Sequence, residues 1–276
     1  AFAEYLFEDA PRYGSDATLA GLADEMKTRW PAFAHALRRS PPSFVDSSIV
    51  ADALVRSERD RLPQAARDLV RWAAHQWLHA VLNTYDDIDP MPPTRVRSFL
   101  APWNVEAFAG HYGGWYTNGA LVAPLLERAG ENRWTDQVFL RALFTNWDLC
   151  AGVDSSCAWD EGQPFHRIIR VGESFLANHP RSTVAGEVRL LVARAHETGW
   201  SCAKAPPSSP GSETLIEASR FILDAPHHRE QAIRLYEEHL RQNPTDPRNR
   251  LIRRRLARIR LDLDTGCRAF VNYGVC

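Results

Sequence analysis

The chain has 276 residues, 45% of them hydrophobic, and a formal net charge of −1 at pH 7. That length supports one large core or two modest ones. The near-zero charge excludes a global field that would draw the molecule onto nucleic acid or an anionic membrane. Lys27 and Lys204 are the only lysines, so arginine carries nearly all the positive charge, a bias typical of a GC-rich genome.

Ala1 in place of Met reads as a processed mature protein or an excised domain. The longest strongly apolar stretch, Ala120 to Leu126, is far short of the roughly 20 residues a membrane helix needs, so a soluble chain with no membrane span is expected.

Apolar residues recur at helical spacing almost throughout, which predicts an all-α protein. In chain order, helices are predicted over 16–38 with a break at Pro31, then 46–61, 64–84, 115–128, 136–149, 165–178, 182–198, 213–223, 229–242 and 247–263. Asp46 and Ser47 mark one start, Pro63 another, and Thr135 is placed to accept the first amides of a third. Gly130 and Gly199 stand where helix ends are capped. Two stretches break the pattern. Pro102 to Gly119 is rich in glycine and aromatics and should contain a turn, while Ala203 to Gly211 is a proline- and serine-rich loop. The final CRAFVNYGVC is read as a short extended tail.

The five cysteines lack any C-x-x-C spacing. Cys150 with Cys157, and Cys267 with Cys276, are close enough in sequence to form two local disulfides, leaving Cys202. Pairing would imply a periplasmic or secreted protein, and free thiols a cytoplasmic one.

Self-similarity is the most specific signal. The segment starting at Phe165 and the one starting at Arg229 align with an offset of 229 − 165 = 64, pairing Ile169 with Ile233, Glu173 with Glu237, Leu176 with Leu240, Pro180 with Pro244 and Arg194 with Arg258. Both read as helix, proline turn, helix. In QAIRLYEEHLRQNPTD, the spacing of Ala232, Tyr236, Leu240 and Pro244 resembles the second helix of the tetratricopeptide repeat, whose unit is about 34 residues. Gly172 takes the aromatic position in the first copy, and the family's Trp, Leu-Gly, Tyr signature of the first helix is absent. The resemblance covers residues 165–263. It implies antiparallel helix pairs stacked as a solenoid, with a groove that binds peptides or protein surfaces.

Candidate chemistry is sparse. His75 and His79 in HQWLH have the i, i+4 spacing of a zinc site, with His111 or Asp86, Asp87 and Asp89 as a third ligand. Gln76 stands where a zinc protease places its glutamate, and an amide cannot act as that base. On a helical wheel Asp68, His75, His79 and Asn83 share one sector of a largely apolar helix, read either as a wet edge or as buried histidines bonded to a neighbouring helix. YDDIDP is read as a solvated loop, with a calcium site as the alternative. Tyr112, Trp115 and Tyr116 in the glycine-rich segment offer flat faces to a ligand. Arg250, Arg253, Arg254 and Arg258 lie on the outer faces of the last helix, where an acidic peptide or a phosphate backbone would bind, or where Glu237, Glu238 and Asp262 would pair with them. No G-x-S-x-G motif and no reactive cysteine context is present.

The sequence therefore predicts an all-α helical array: a helical region over 1–130, then a tetratricopeptide-like region over 131–276 with an extended tail. The expected function is a non-catalytic scaffold or adaptor for another protein or peptide, possibly acidic, with no cofactor. Nucleic acid is not the expected partner. The alternatives are an enzyme, such as a metal-dependent hydrolase, with a site around His75, His79 and His111, and an accessory helical domain of a larger polypeptide.

Overall fold

A computed structural model of the chain describes residues 16–82, 84, 98–99, 101–109, 115–145, 164–204 and 224–263. Helices dominate these residues, as the apolar periodicity requires. The tail 267–276, the predicted helix 213–223 and the candidate disulfide cysteines Cys150, Cys157, Cys267 and Cys276 lie outside them. No helix among the described residues is long and apolar enough to cross a membrane. The chain divides into two compact units, one reaching Phe139 and the other resuming at Leu140.

In the first unit, α1 (Asp16–Met26), α2 (Pro31–Leu37), α3 (Ser47–Arg59) and α4 (Gln64–Leu82) follow one another. Contacts run from α1 to α2, α2 to α3, α3 to α4 and α4 back to α1, which closes the four into a ring around a shared core. Met26, Phe33, Leu54, Trp77 and Leu78 are fully buried in it. Pro31 opens α2, where the missing amide hydrogen costs nothing. Asp46 precedes α3, but its side chain makes no cap bond. Its carboxylate instead accepts from Arg39 Nε at 2.6 Å and Nη2 at 3.2 Å.

One predicted helix is corrected. Residues 115–128 begin as strand β2 (Trp115–Thr117), paired antiparallel with β1 (Ala107–Ala109). Only Ala123–Leu126 is helical, as the single turn α5. Residues 115–117 are two aromatics and a β-branched threonine, which suit a strand, and the wider apolar pattern concealed them. Gly130 then ends this segment with φ = 95°, a conformation that suits glycine.

Helix α6 (Arg133–Thr145) starts three residues earlier than predicted. Asn132 caps it, accepting from the Trp134 amide at 2.9 Å and the Thr135 amide at 3.3 Å. Thr135 reciprocates by accepting from the Asn132 amide at 3.1 Å, so it closes a capping box from inside the helix.

The second unit contains two helical hairpins, α7 (Pro164–Asn178) with α8 (Ala185–Lys204) and α9 (Ala225–Gln242) with α10 (Asn249–Arg260). The first helix of each ends at Asn178 and Gln242, and the second begins at Ala185 and Asn249. Both boundaries keep the same offset, 242 − 178 = 249 − 185 = 64. The turns also agree bond for bond. The His179 amide donates to Phe175 O at 2.7 Å and the Asn243 amide to His239 O at 2.8 Å. The Ser182 amide donates to His179 O at 3.0 Å and the Asp246 amide to Asn243 O at 3.1 Å. Ser182 Oγ accepts from the Val184 amide at 3.1 Å, as Asp246 Oδ1 does from the Arg248 amide at 2.8 Å. A short polar side chain two residues before the donating amide is what each turn needs, and Ser and Asp meet that need equally.

Helix α8 is the centre of this unit, packed against α7 on one side and most heavily against α9 on the other. Two glycines make the approach possible. A Cβ on Gly172 of α7 would lie 2.4 Å from Val192 Cγ2 of α8, and a Cβ on Gly199 would lie 3.2 Å from the His228 ring of α9. Gly199 is therefore not a helix cap: α8 runs past it to Lys204. The aromatic position that Tyr236 fills in the second hairpin is left empty in the first so that α7 can seat on Val192.

Gly172→Ala is expected to destabilise the protein by about 1–3 kcal/mol through overpacking, and Val192→Ala added to it should recover most of that loss, both read by urea denaturation. Asp246 gives a pH test. Hydrogen bonds from Arg248 hold its carboxyl down to about 2, against an ordinary value of 3.8. The stability this contributes, about 2 kcal/mol, is complete above the unfolded value near pH 4 and is lost as the pH falls toward 2. The stability gap between the unmutated protein and Asp246→Asn should therefore be constant from pH 7 to 5 and narrow below pH 4. A gap that stays constant down to pH 3 contradicts the assignment.

Candidate functional site

Every residue of α4 from Trp72 to Leu82 is buried. A helix that is covered all round is an interior element, so the polar sector read from the wheel is no wet edge. His75 is fully buried and His79 is 4% exposed. The ring of His75 stacks on Trp72 with centroids 5.8 Å apart, and meets His79 edge-on at 4.5 Å. His79 Nε2 lies 3.4 Å from Thr117 Oγ1 on β2. Among the described residues, no group of three or more His, Cys, Asp or Glu side chains is arranged to hold a metal ion. His111, Asp86, Asp87 and Asp89 lie outside the described residues.

Asp68, one face-mate of these histidines, anchors the unit's main polar cluster. Its carboxylate is fully buried, yet it accepts from Arg128 Nη2 at 2.6 Å, Asn132 Nδ2 at 2.9 Å and Gln64 Nε2 at 2.9 Å. Arg128 also donates from Nε to Pro124 O at 3.0 Å. A buried charge is tolerated when paired and hydrogen-bonded in this way. The cluster joins α4 to α5 and to the cap of α6, and it is structural.

The aromatic candidates divide. Trp115 and Tyr116 are in β2, paired with Ala109 and Phe108, while Tyr112 lies outside the described residues.

On α10, Ile252, Leu256 and Ile259 are buried, with Arg255 beside them. Arg250, Arg253 and Arg254 are exposed in a row on the opposite face, and Arg258 is half-buried beside them. The acids expected to pair with this row bond to other cations. Glu237 pairs with Arg260, Glu238 with Arg189 at 3.1 Å, and Asp262 with Lys204 at 2.9 Å. Leu261 and Leu263, just beyond the helix, are 69% and 56% exposed.

A polar ladder through the second unit is the feature the sequence did not reveal. Glu173 Oε1 of α7 is 3.2 Å from His196 Nε2 of α8, whose Nδ1 is 2.9 Å from His228 Nδ1 of α9. At the next residue of α8, Glu197 accepts from Tyr236 Oη at 2.7 Å and from Arg255 Nη1 at 2.9 Å, joining α8 to α9 and α10. His196 is 1% exposed, and Glu197 and Arg255 are 8% exposed each. The hydrogen bond with His196 holds the Glu173 carboxyl below its ordinary range. Burial, reinforced by the Glu197 charge, pushes the Tyr236 hydroxyl well above its own. A tyrosine so held stays protonated and donates to Glu197. The signals were the His227-His228 doublet and the His196-Glu197 pair, polar residues set in an otherwise apolar helix register.

Comparisons with family models, with curated proteins and with solved structures returned no match. The arrangement of this chain's own residues is therefore the ground for any functional reading.

Asp68→Ala should cost about 3–5 kcal/mol by leaving Arg128 without its carboxylate, whereas Asp68→Leu with Arg128→Met should recover most of it. Urea denaturation reads both. An Asp68→Ala variant as stable as the unmutated protein would show that the cluster carries no structural weight.

Proposed function

We propose that the protein is a non-catalytic scaffold built on tetratricopeptide-like helical hairpins, and that it binds an acidic segment of another protein. The observation that carries the reading is the exposed pair Arg250 and Arg253 along α10. The nearby acids Glu237, Glu238 and Asp262 bond to Arg260, Arg189 and Lys204. Guanidinium groups present paired donors in a plane, which suits carboxylates on an extended or helical peptide. Leu261 and Leu263 at the end of the row add apolar contact, so an acidic segment with an aliphatic residue near one end fits this face best.

The two hairpins support the scaffold part of the reading. Their equal spacing and matching turns suit a repeat whose units each bury one face against the next and leave another for a partner. The buried part of the polar ladder suits the same role, because Glu197 bonds to Tyr236 and Arg255 inside the unit.

The test is fluorescence anisotropy with a labelled peptide that alternates Asp, Glu and Leu. Binding is expected, weakening as salt rises. Arg250→Glu with Arg253→Glu should reduce affinity at least about tenfold, equivalent to 1.4 kcal/mol, without changing the urea midpoint. Equal affinity for a Ser-Gly peptide of the same length, or no effect of the double charge reversal, overturns the proposal.

A further inference from the structure

The contact between His196 and His228 imposes a condition on protons. Two Nδ1 atoms 2.9 Å apart form a hydrogen bond only if one carries a hydrogen and the other a lone pair. The rest of the chain of bonds fixes which. Glu173 is a carboxylate and can only accept, so His196 carries its hydrogen on Nε2. A neutral His196 then has a bare Nδ1, and His228 donates to it from its own Nδ1. This assignment follows from the hydrogen-bond pattern.

We propose that Glu173, His196 and His228 form a proton-operated latch between the two hairpins, which stays closed with one added proton and opens with a second. The first proton makes one imidazolium shared across the facing Nδ1 atoms. Every hydrogen bond is kept, and the Nδ1 contact becomes charge-assisted beside the Glu173 carboxylate. The second proton places a hydrogen on both Nδ1 atoms. Two N–H groups then point at each other across a gap that admits only one, and two positive rings lie with centroids 5.1 Å apart.

The surroundings oppose that second charge. His227 stands 6.0 Å from the His196 ring and 5.7 Å from the His228 ring, and Arg234 of the same helix acts on Glu173. On α8 itself Glu197 is committed to Tyr236 and Arg255, with Arg194 also acting on Tyr236. From α7, Glu173 is the carboxylate in hydrogen-bond range of the pair. The His228 ring lies against Gly199, within 3.3 Å of where a Cβ would be, so it has little room to turn aside. Relief comes from moving α9 off α8, which is the contact that joins the hairpins. The latch holds whether or not the arginine row binds a partner.

Imidazole nitrogen NMR on the full chain, titrated from pH 8 to 4, tests this together with urea denaturation and amide protection over the same range. The two rings should gain protons in two separate steps, with amide protection in α8 and α9 retained through the first and lost with the second. His228→Asn keeps an N–H donor near the Nδ1 position, and its amide can turn to offer oxygen once His196 is charged. That variant should lack the second loss, so its folding constant at the acid end should exceed that of the unmutated protein by at least about tenfold after normalising both at pH 8. Both rings becoming cationic while α8 and α9 stay protected overturns the latch, as does a His228→Asn curve parallel to the unmutated one. If His228→Asn does not fold, the titration and protection of the unmutated protein decide the matter alone.

Discussion

Helix α8 can touch both of its neighbours only because glycine stands at each point of closest approach. Gly172 lets α7 rest on Val192, and Gly199 lets the His228 ring of α9 lie flat against α8. Interiors pack to crystal-like density, so a methyl at Gly172 would require Val192 to shift, and one at Gly199 would press on the His228 ring. The consequences run through the whole second unit. With α7 and α9 held this close, Glu173, His196 and His228 come within hydrogen-bond distance across three helices, and Glu197 reaches Tyr236 and Arg255. The polar ladder follows from the apolar fit.

The ladder in turn gives the hairpins a defined register. An apolar interface tolerates sliding, because burial is non-directional. A buried carboxylate that must meet both a tyrosine hydroxyl and a guanidinium does not, since any slip leaves a charge unsatisfied. Glu197 performs that task between α8, α9 and α10. Arg248 performs a similar one at the turns, bonding to Asp246 of its own hairpin and to Glu187 of the other. The first unit uses the same device on a smaller scale, with Asp68 tying α4 to α5 and to the cap of α6.

Much of the helical content was legible in the sequence, because amphipathic periodicity reports the face a helix buries. The helices from Asp16 to Leu82 and the two hairpins fall close to their predicted spans, and the 64-residue offset carries through to the turns. What failed to show has a common cause. Residue type reports average burial, and α4 departs from the average: His75, Gln76 and His79 are interior residues on a helix surrounded on every side. The strand at Trp115–Thr117 was hidden because three residues are too few to establish a period of two. Gly199 read as a helix end because a glycine needed for close packing and a glycine needed for a cap look the same without the neighbour. The Glu173, His196, His228 ladder joins residues up to 55 apart in sequence, and no local pattern encodes such a meeting.

The central claim is that the two hairpins form one stacked unit through α8 and α9. Amide hydrogen exchange on the full chain at pH 7, followed by mass spectrometry, tests it most directly. Peptides from α8 and α9 should share the highest protection in residues 164–263 and should lose it together at a common urea concentration, with α7 and α10 no more protected than they are. Exchange of the α9–α10 hairpin at a lower urea concentration while α7 and α8 stay protected would mean that the hairpins are independent, and would contradict the account.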